Sequence, residues 1–210
     1  MIKLTTTHPD FAAAFTALVE DRRETDTDVA RDVAAIIRRV RDEGEAGIRA
    51  LTRDLDRHDL DQTGWAIPAE TCAAAFAALD PDLRAALELA ATRIRAYHEK
   101  QRPEDSAFTD AAGVRLGARW RPVDAAGIYV PGGRAAYPSS LLMNAIPAKV
   151  AGVERLVMVT PTPDGAISQL VLAAAHLAGV DEVWRIGGAG SGSAARGHYG
   201  ERHHPSRRVL

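Results

Sequence analysis

Apolar residues recur along the first half of the chain at intervals of three and four. Phe11, Phe15, Leu18 and Val19 form one run, with Pro9 placed for its first turn, and Val29, Val33, Ile36, Ile37 and Val40 form another. Such spacing lines one face of a 3.6-residue period, so both runs predict amphipathic helices. Between them Thr25, Asp26, Thr27 and Asp28 offer capping oxygens and first-turn acids, which predicts a new helix start there. Gly44 interrupts, and Ile48, Leu51 and Leu55 predict a third helix. Pro68 opens a fourth with Cys72, Phe76 and Leu79 on its apolar side. Asp80-Pro81, a capping acid followed by a proline at the first helical position, opens a fifth with Leu83, Leu87, Ala90, Ile94 and Tyr97. The arginines between these stripes read as solvated faces.

The pattern then changes. Residues 101–110 turn polar around Pro103 and predict a connection, and Val114 to Pro122, with Trp120, predicts a strand or hairpin arm. Gly127-Ile128-Tyr129-Val130 meets Pro131-Gly132-Gly133 and then a helical run from Tyr137 to Lys149. Arg155 to Thr160 predicts a strand, Pro161 to Gly165 a turn, Ala166 to Ala178 a helix stopped by Gly179, and Val183 to Ile186 a last strand. Strand, helix, strand, helix, strand at this spacing predicts a parallel βαβαβ unit, because parallel neighbours need helical crossovers. The fold class is therefore α/β: a mainly helical segment over residues 1–110, a Rossmann-like half-domain over 111–189, and a Gly/Ser/Arg/His tail over 190–210 that is too poor in apolar residues to bury a core and is expected to be disordered. Ligands of open α/β sheets gather outside the carboxyl ends of the strands, which here are Pro131-Gly132-Gly133, Thr160-Pro161 and Gly187-Gly188.

Composition narrows the partners. Net charge is −2 with 46% apolar and 26% charged residues, so no basic field argues for nucleic acid or an anionic membrane. The N-terminus has no apolar signal core and no window approaches a membrane span, which leads to a cytoplasmic expectation. Cys72 is the single cysteine, excluding an internal disulfide and a thiolate zinc site, and reads as a small buried hydrophobe.

Several residues carry candidate chemistry. Pro131-Gly132-Gly133 lets backbone approach a ligand closely, Ser139-Ser140 adds hydroxyls at a helix start, and Tyr129 is placed to stack on a ring or bond a ribose. A tight βα turn with a packed tyrosine explains the same residues. Gly187-Gly188-Ala189-Gly190-Ser191-Gly192 departs from the G-x-G-x-x-G spacing and reads as a flexible tail. His198, His203 and His204 lie close in sequence but lack a ligand pattern, and His8, His58, His98 and His176 receive no role. No catalytic residue is assigned.

The words Gly127 to Gly133, Ala136 to Ser140, Leu142 to Val153 and Ile186 to Ala189 resemble histidinol dehydrogenase, as does the helical first half ending in Tyr97-His98. The resemblance extends to about Ala189 and implies an incomplete Rossmann-like domain related to aldehyde dehydrogenases. It further implies NAD-dependent oxidation of L-histidinol to L-histidine through the aldehyde, with zinc holding the substrate, in a cytoplasmic homodimer. On the same ground Tyr129 contacts NAD, beside the turn Pro131, Gly132 and Gly133. Where the family continues Gly-Gly-Ala with a glutamine and a helix, this chain has Gly190 and its tail, and the family's zinc ligands and acid–base pair have no counterpart here. The expectation is a truncated or frame-shifted form, inactive alone and prone to aggregate or to need a partner. The alternative is a non-catalytic NAD-binding or dimerisation module.

Overall fold

No glycine or proline falls between Phe11 and Glu43, and this stretch forms one helix, α1 (Phe11–Glu43). The start expected at Thr25 to Asp28 is not made: capping residues only weakly oppose helix, and nothing there forbids it. The architecture is that of a computed structural model in which residues 4–132 and 136–187 are described, without the side chains of 19–29. Gly44, at φ 59°, ends α1 as expected and turns the chain into α2 (Glu45–Asp56). A single turn, α3 (Leu60–Thr63), leads to a two-residue strand, β1 (Ala66–Ile67). Helices α4 (Ala69–Ala77) and α5 (Pro81–Glu99) follow, and the Asp80 carboxylate accepts from the N–H groups of Asp82 and Leu83 with Pro81 at the first turn.

A hairpin of β2 (Ser106–Thr109) and β3 (Arg115–Ala118) comes next. The expected arm is therefore present, but residues 101–110 hold its first strand as well as a connection. Trp120 lies past the second strand, its N–H donating to Asp105 at 2.8 Å. At the tip the Asp110 carboxylate accepts from Ala112 and Val114 while Gly113 takes φ 82°, a local turn that sequence spacing does not display.

The remaining elements alternate as expected: β4 (Ala125–Tyr129), α6 (Pro138–Ala151), β5 (Arg155–Val159), α7 (Gln169–Ala178) and β6 (Glu182–Trp184). Gly152 and Gly179 close the two helices in the left-handed region. Strand β4 pairs parallel with β5, and β5 with β6, while β1 joins β6 antiparallel, giving the order β1-β6-β5-β4. The N-terminal stretch thus covers one side of the parallel strands, and among the described residues β4 is paired on one side only. Arg185 fastens β1, its backbone N–H donating to Trp65 at 2.8 Å and its guanidinium to the carbonyls of Gly64 and Ala66.

Strand alternation divides the core. Leu156, Met158 and Val183 face a cluster with Leu141, Ala145 and Ile146 of α6, Leu172 to Ala175 of α7 and Cys72, Ala75, Leu87 and Ala91 of α4 and α5. Small residues at Cys72, Ala75, Ala174 and Ala175 let α4 and α7 approach closely, and burial pushes the Cys72 thiol up. On the other face Val159 and Ile186 meet Val40, Ile48, Leu51 and Leu60. The same alternation aims Ala126 and Ile128 into the larger core and leaves Gly127 and Tyr129 exposed on the opposite face. No helix among the described residues is long and apolar enough to cross a membrane.

The hairpin stands away from this core, with Phe108 62% exposed against 0% for Leu156. Leu156→Ala is expected to lower the unfolding free energy by about 2–5 kcal/mol, and Phe108→Ser to change it by less than about 0.5 kcal/mol. Urea denaturation measures both. Equal losses would place the hairpin within the core.

Candidate functional site

Strands β4 and β5 end side by side, and their exits form one wall. Val130 donates its N–H to Val159, and Gly132 then passes so close to the next loop that a Cβ there would lie 2.6 Å from the Pro161 carbonyl oxygen. Gly132 therefore meets a demand of loop against loop packing, which any side chain would violate. A cavity of about 540 Å³ opens beside it, lined by Pro131, Gly132, Thr160, Pro161, Asp164 and Ser168 among others. Its size falls within the range of small-molecule sites. It lies at the carboxyl ends of parallel strands and beside the start of α7, where Ser168 makes no side-chain capping bond.

The far wall comes from the end of α2. Helix α2 stops at Arg57, which takes the left-handed φ of 51°, and Asp56, Arg57 and His58 then each meet the loop after β5. Asp56, buried, accepts from the Thr162 N–H at 3.2 Å. Arg57 donates from Nε and Nη2 to the two carboxylate oxygens of Asp164, both at 2.7 Å. His58, also buried, lies against Gly165, where a Cβ would sit 3.0 Å from Nδ1, and its Nε2 is 2.8 Å from the Thr63 hydroxyl. Beneath them the fully buried Thr162 hydroxyl has no hydrogen-bond partner among the described residues.

Charge follows from these placements. Burial pushes the Asp56 carboxyl above its ordinary value, opposed by the Thr162 N–H and by His58 and Arg57. The Arg57 hydrogen bonds hold Asp164 below the ordinary carboxylate value, and Asp164 in turn raises Arg57. Tyr129 is pushed up first by burial and then by the Asp56 charge, so its phenol stays protonated at neutral pH.

Of the residues singled out in the sequence, Pro131 and Gly132 line the cavity. Tyr129 sits two residues earlier at the end of β4, half exposed and outside the lining, near enough to Asp56 to feel its charge. Gly133 lies outside the described residues, as do Gly188 onward and the His198, His203 and His204 cluster. Ser139 and Ser140 begin α6 without capping it and are not in the wall. Asp56, Arg57, His58 and Asp164 carried no periodic or motif signal. The one available hint was a polar run closing an amphipathic helix. Zinc would require three or four N, O or S donors together, and the described residues bring no such group of His, Cys, Asp or Glu together.

A family model for histidinol dehydrogenase matches residues 19–203. The histidinol dehydrogenase of Zymomonas mobilis is 58% identical over 189 residues, covering 90% of this chain and 44% of that protein. That of Ruegeria pomeroyi is 56% identical over 181 residues, covering 86% and 42%. The crystal structure of histidinol dehydrogenase from Elizabethkingia anophelis superposes with a TM-score of 0.73 at 27% identity, covering 80% of this chain and 39% of that one. The chain thus spans less than half the length of these relatives.

The raised Asp56 value gives a pH signature. A carboxyl whose native value lies above the ordinary 3.8 stabilises the fold fully below 3.8, and that contribution is lost as pH rises through the native value. Asn at position 56 can still accept from Thr162 without a charge to bury. Asp56→Asn is expected to gain stability relative to the unsubstituted chain as pH rises from about 4 to about 7. Urea denaturation across that range checks it, and a difference independent of pH would refute the burial of charge.

Proposed function

The chain belongs to the histidinol dehydrogenase family, and from that membership we propose that it forms part of the NAD-binding side of an enzyme oxidising L-histidinol to L-histidine in the cytoplasm. The observation that carries this reading is the cavity of about 540 Å³ at the carboxyl ends of β4 and β5. In this proposal Pro131, Gly132 and Gly133 shape the turn against which NAD lies. Tyr129, at the end of β4, offers a protonated phenol and a ring edge just outside the cavity, suited to bond a ribose or cover a base. Residues 1–110 brace the unit formed by 111–189, as the joining of β1 to β6 supports.

When bound, NAD supplies the hydride acceptor. The chain's own part is to hold it: Gly132 keeps the β4 and β5 exits in contact, and the Arg57–Asp164 pair fixes the far wall. Zinc enters through the family alone. The described residues do not fit it, since no three of their His, Cys, Asp or Glu side chains come together. In this reading the described residues supply the cofactor side, and the 210-residue polypeptide assayed by itself does not turn over histidinol. The singly paired β4 and the exposed apolar hairpin support association with a further chain, in keeping with the homodimer implied by the family.

Calorimetric titration with NAD tests the proposal. Saturable binding is expected, and Tyr129→Ala, folded by circular dichroism, is expected to bind roughly tenfold more weakly, the scale of a lost aromatic–base contact. An unchanged affinity removes Tyr129 from the site, and absence of saturable heat removes the NAD reading. With histidinol, NAD and zinc together no sustained NADH formation is expected, and turnover would refute the inactivity of the chain alone.

A further inference from the structure

The strand order β6-β5-β4 repeats the 3-2-1 order of one mononucleotide-binding half of a doubly wound sheet, with β4 in the place of the first strand and β5 of the second. In such halves a carboxylate beyond the second strand takes the hydroxyls of the adenosine ribose. A guanidinium in that neighbourhood instead accommodates a 2′-phosphate. This chain sets one of each there and ties them together. Asp164 follows the end of β5, lines the same cavity as Gly132, and is held by Arg57 through two bonds of 2.7 Å.

Resting on the reading of this cavity as an NAD site, we propose that Asp164 accepts the ribose diol of the adenosine half and selects a dinucleotide without a 2′-phosphate, with Arg57 as the group that orients it. A carboxylate has about four lone-pair positions, and Arg57 occupies one on each oxygen. Each oxygen therefore retains a position for a ribose hydroxyl, whose O–H donates in a charge-assisted bond. The bidentate grip fixes the plane in which those positions lie. A 2′-phosphate entering the same place meets a carboxylate of like charge and an arginine already neutralised. Backbone geometry supports a built feature: Arg57 and Asp164 are the non-glycine residues with positive φ, at 51° and 55°, among those described. Such conformations persist where surrounding contacts impose them, and they gather at ligand sites. Here Gly165 against His58 and Thr162 against Asp56 impose them from both sides.

The pair is largely exposed, so either partner can be replaced without threatening the fold. Titration of the 210-residue chain with NAD and with NADP is expected to show a preference for NAD of about tenfold or more. Asp164→Asn is expected to weaken NAD binding and to erase or reverse the preference, since Arg57 is then free to meet the 2′-phosphate. Arg57→Ala retains the carboxylate and is expected to weaken both ligands while keeping the preference. Equal NAD and NADP affinity in the unsubstituted chain, or a wild-type preference surviving in Asp164→Asn, overturns this inference while leaving the NAD site standing. Loss of preference in both variants alike overturns it too, because the pair then serves only to hold the loop. Failure of the unsubstituted chain to bind either ligand overturns both readings together.

Discussion

Three consecutive residues at the end of α2 hold the loop on which the cavity depends. Asp56 takes the Thr162 N–H, Arg57 grips Asp164, and His58 closes against Gly165. These bonds join segments 106 and 107 residues apart in sequence. A loop carrying two prolines and a left-handed aspartate has many conformations to lose, and helix–strand packing alone does not choose among them. The clamp chooses. Once it is set, Pro161 lies under Gly132, the exits of β4 and β5 are locked at the distance only a glycine allows, and the space between them becomes a cavity. The cost is a buried carboxyl, compensated in part by the Thr162 N–H and by the neighbouring His58 and Arg57.

The sheet that presents this edge is half of a doubly wound arrangement, with unequal protection of its two sides. The outer side of β6 is covered by the short antiparallel β1, and the helices α4 to α7 bury a single face across all three parallel strands. The other face is closed by α1 and α2 over β5 and β6, while Gly127 and Tyr129 of β4 remain open. Polar pairing replaces apolar cover toward the opposite end of that face, where Arg155 grips Glu182 at 2.6 and 3.1 Å and Trp184 donates to the same carboxylate. Among the described residues β4 is paired on one side and the hairpin is exposed, and the chain spans 42–44% of the length of the curated relatives it matches.

Periodicity made much of this legible. Helices α2, α4, α5, α6 and α7, the Asp80-Pro81 cap and the parallel unit follow from apolar spacing and from glycine and proline placement, which are local properties of sequence, whereas the single turn α3 was not expected. Failures occurred where the deciding interaction was distant. The two residues of β1 are too few to show alternation, and they are strand only because β6 lies beside them. The expected break at Thr25 to Asp28 failed because capping residues permit a start without compelling one. Pro131 and Gly132 were singled out by their turn chemistry and line the cavity, although Gly132 answers to Pro161. Asp56, Arg57, His58 and Asp164 were missed since each looks like an ordinary surface polar residue until the fold brings α2 to the loop after β5.

In the proposed site a dinucleotide binds at the carboxyl ends of β4 and β5, against the clamped loop. Hydrogen exchange followed by mass spectrometry with and without NAD tests this directly, since it reports where the backbone is protected. NAD is expected to slow exchange in peptides spanning residues 129–132 and 160–169, with α5 and the β2–β3 hairpin unchanged. Protection confined to α5 or the hairpin, or none at saturating NAD, would contradict it.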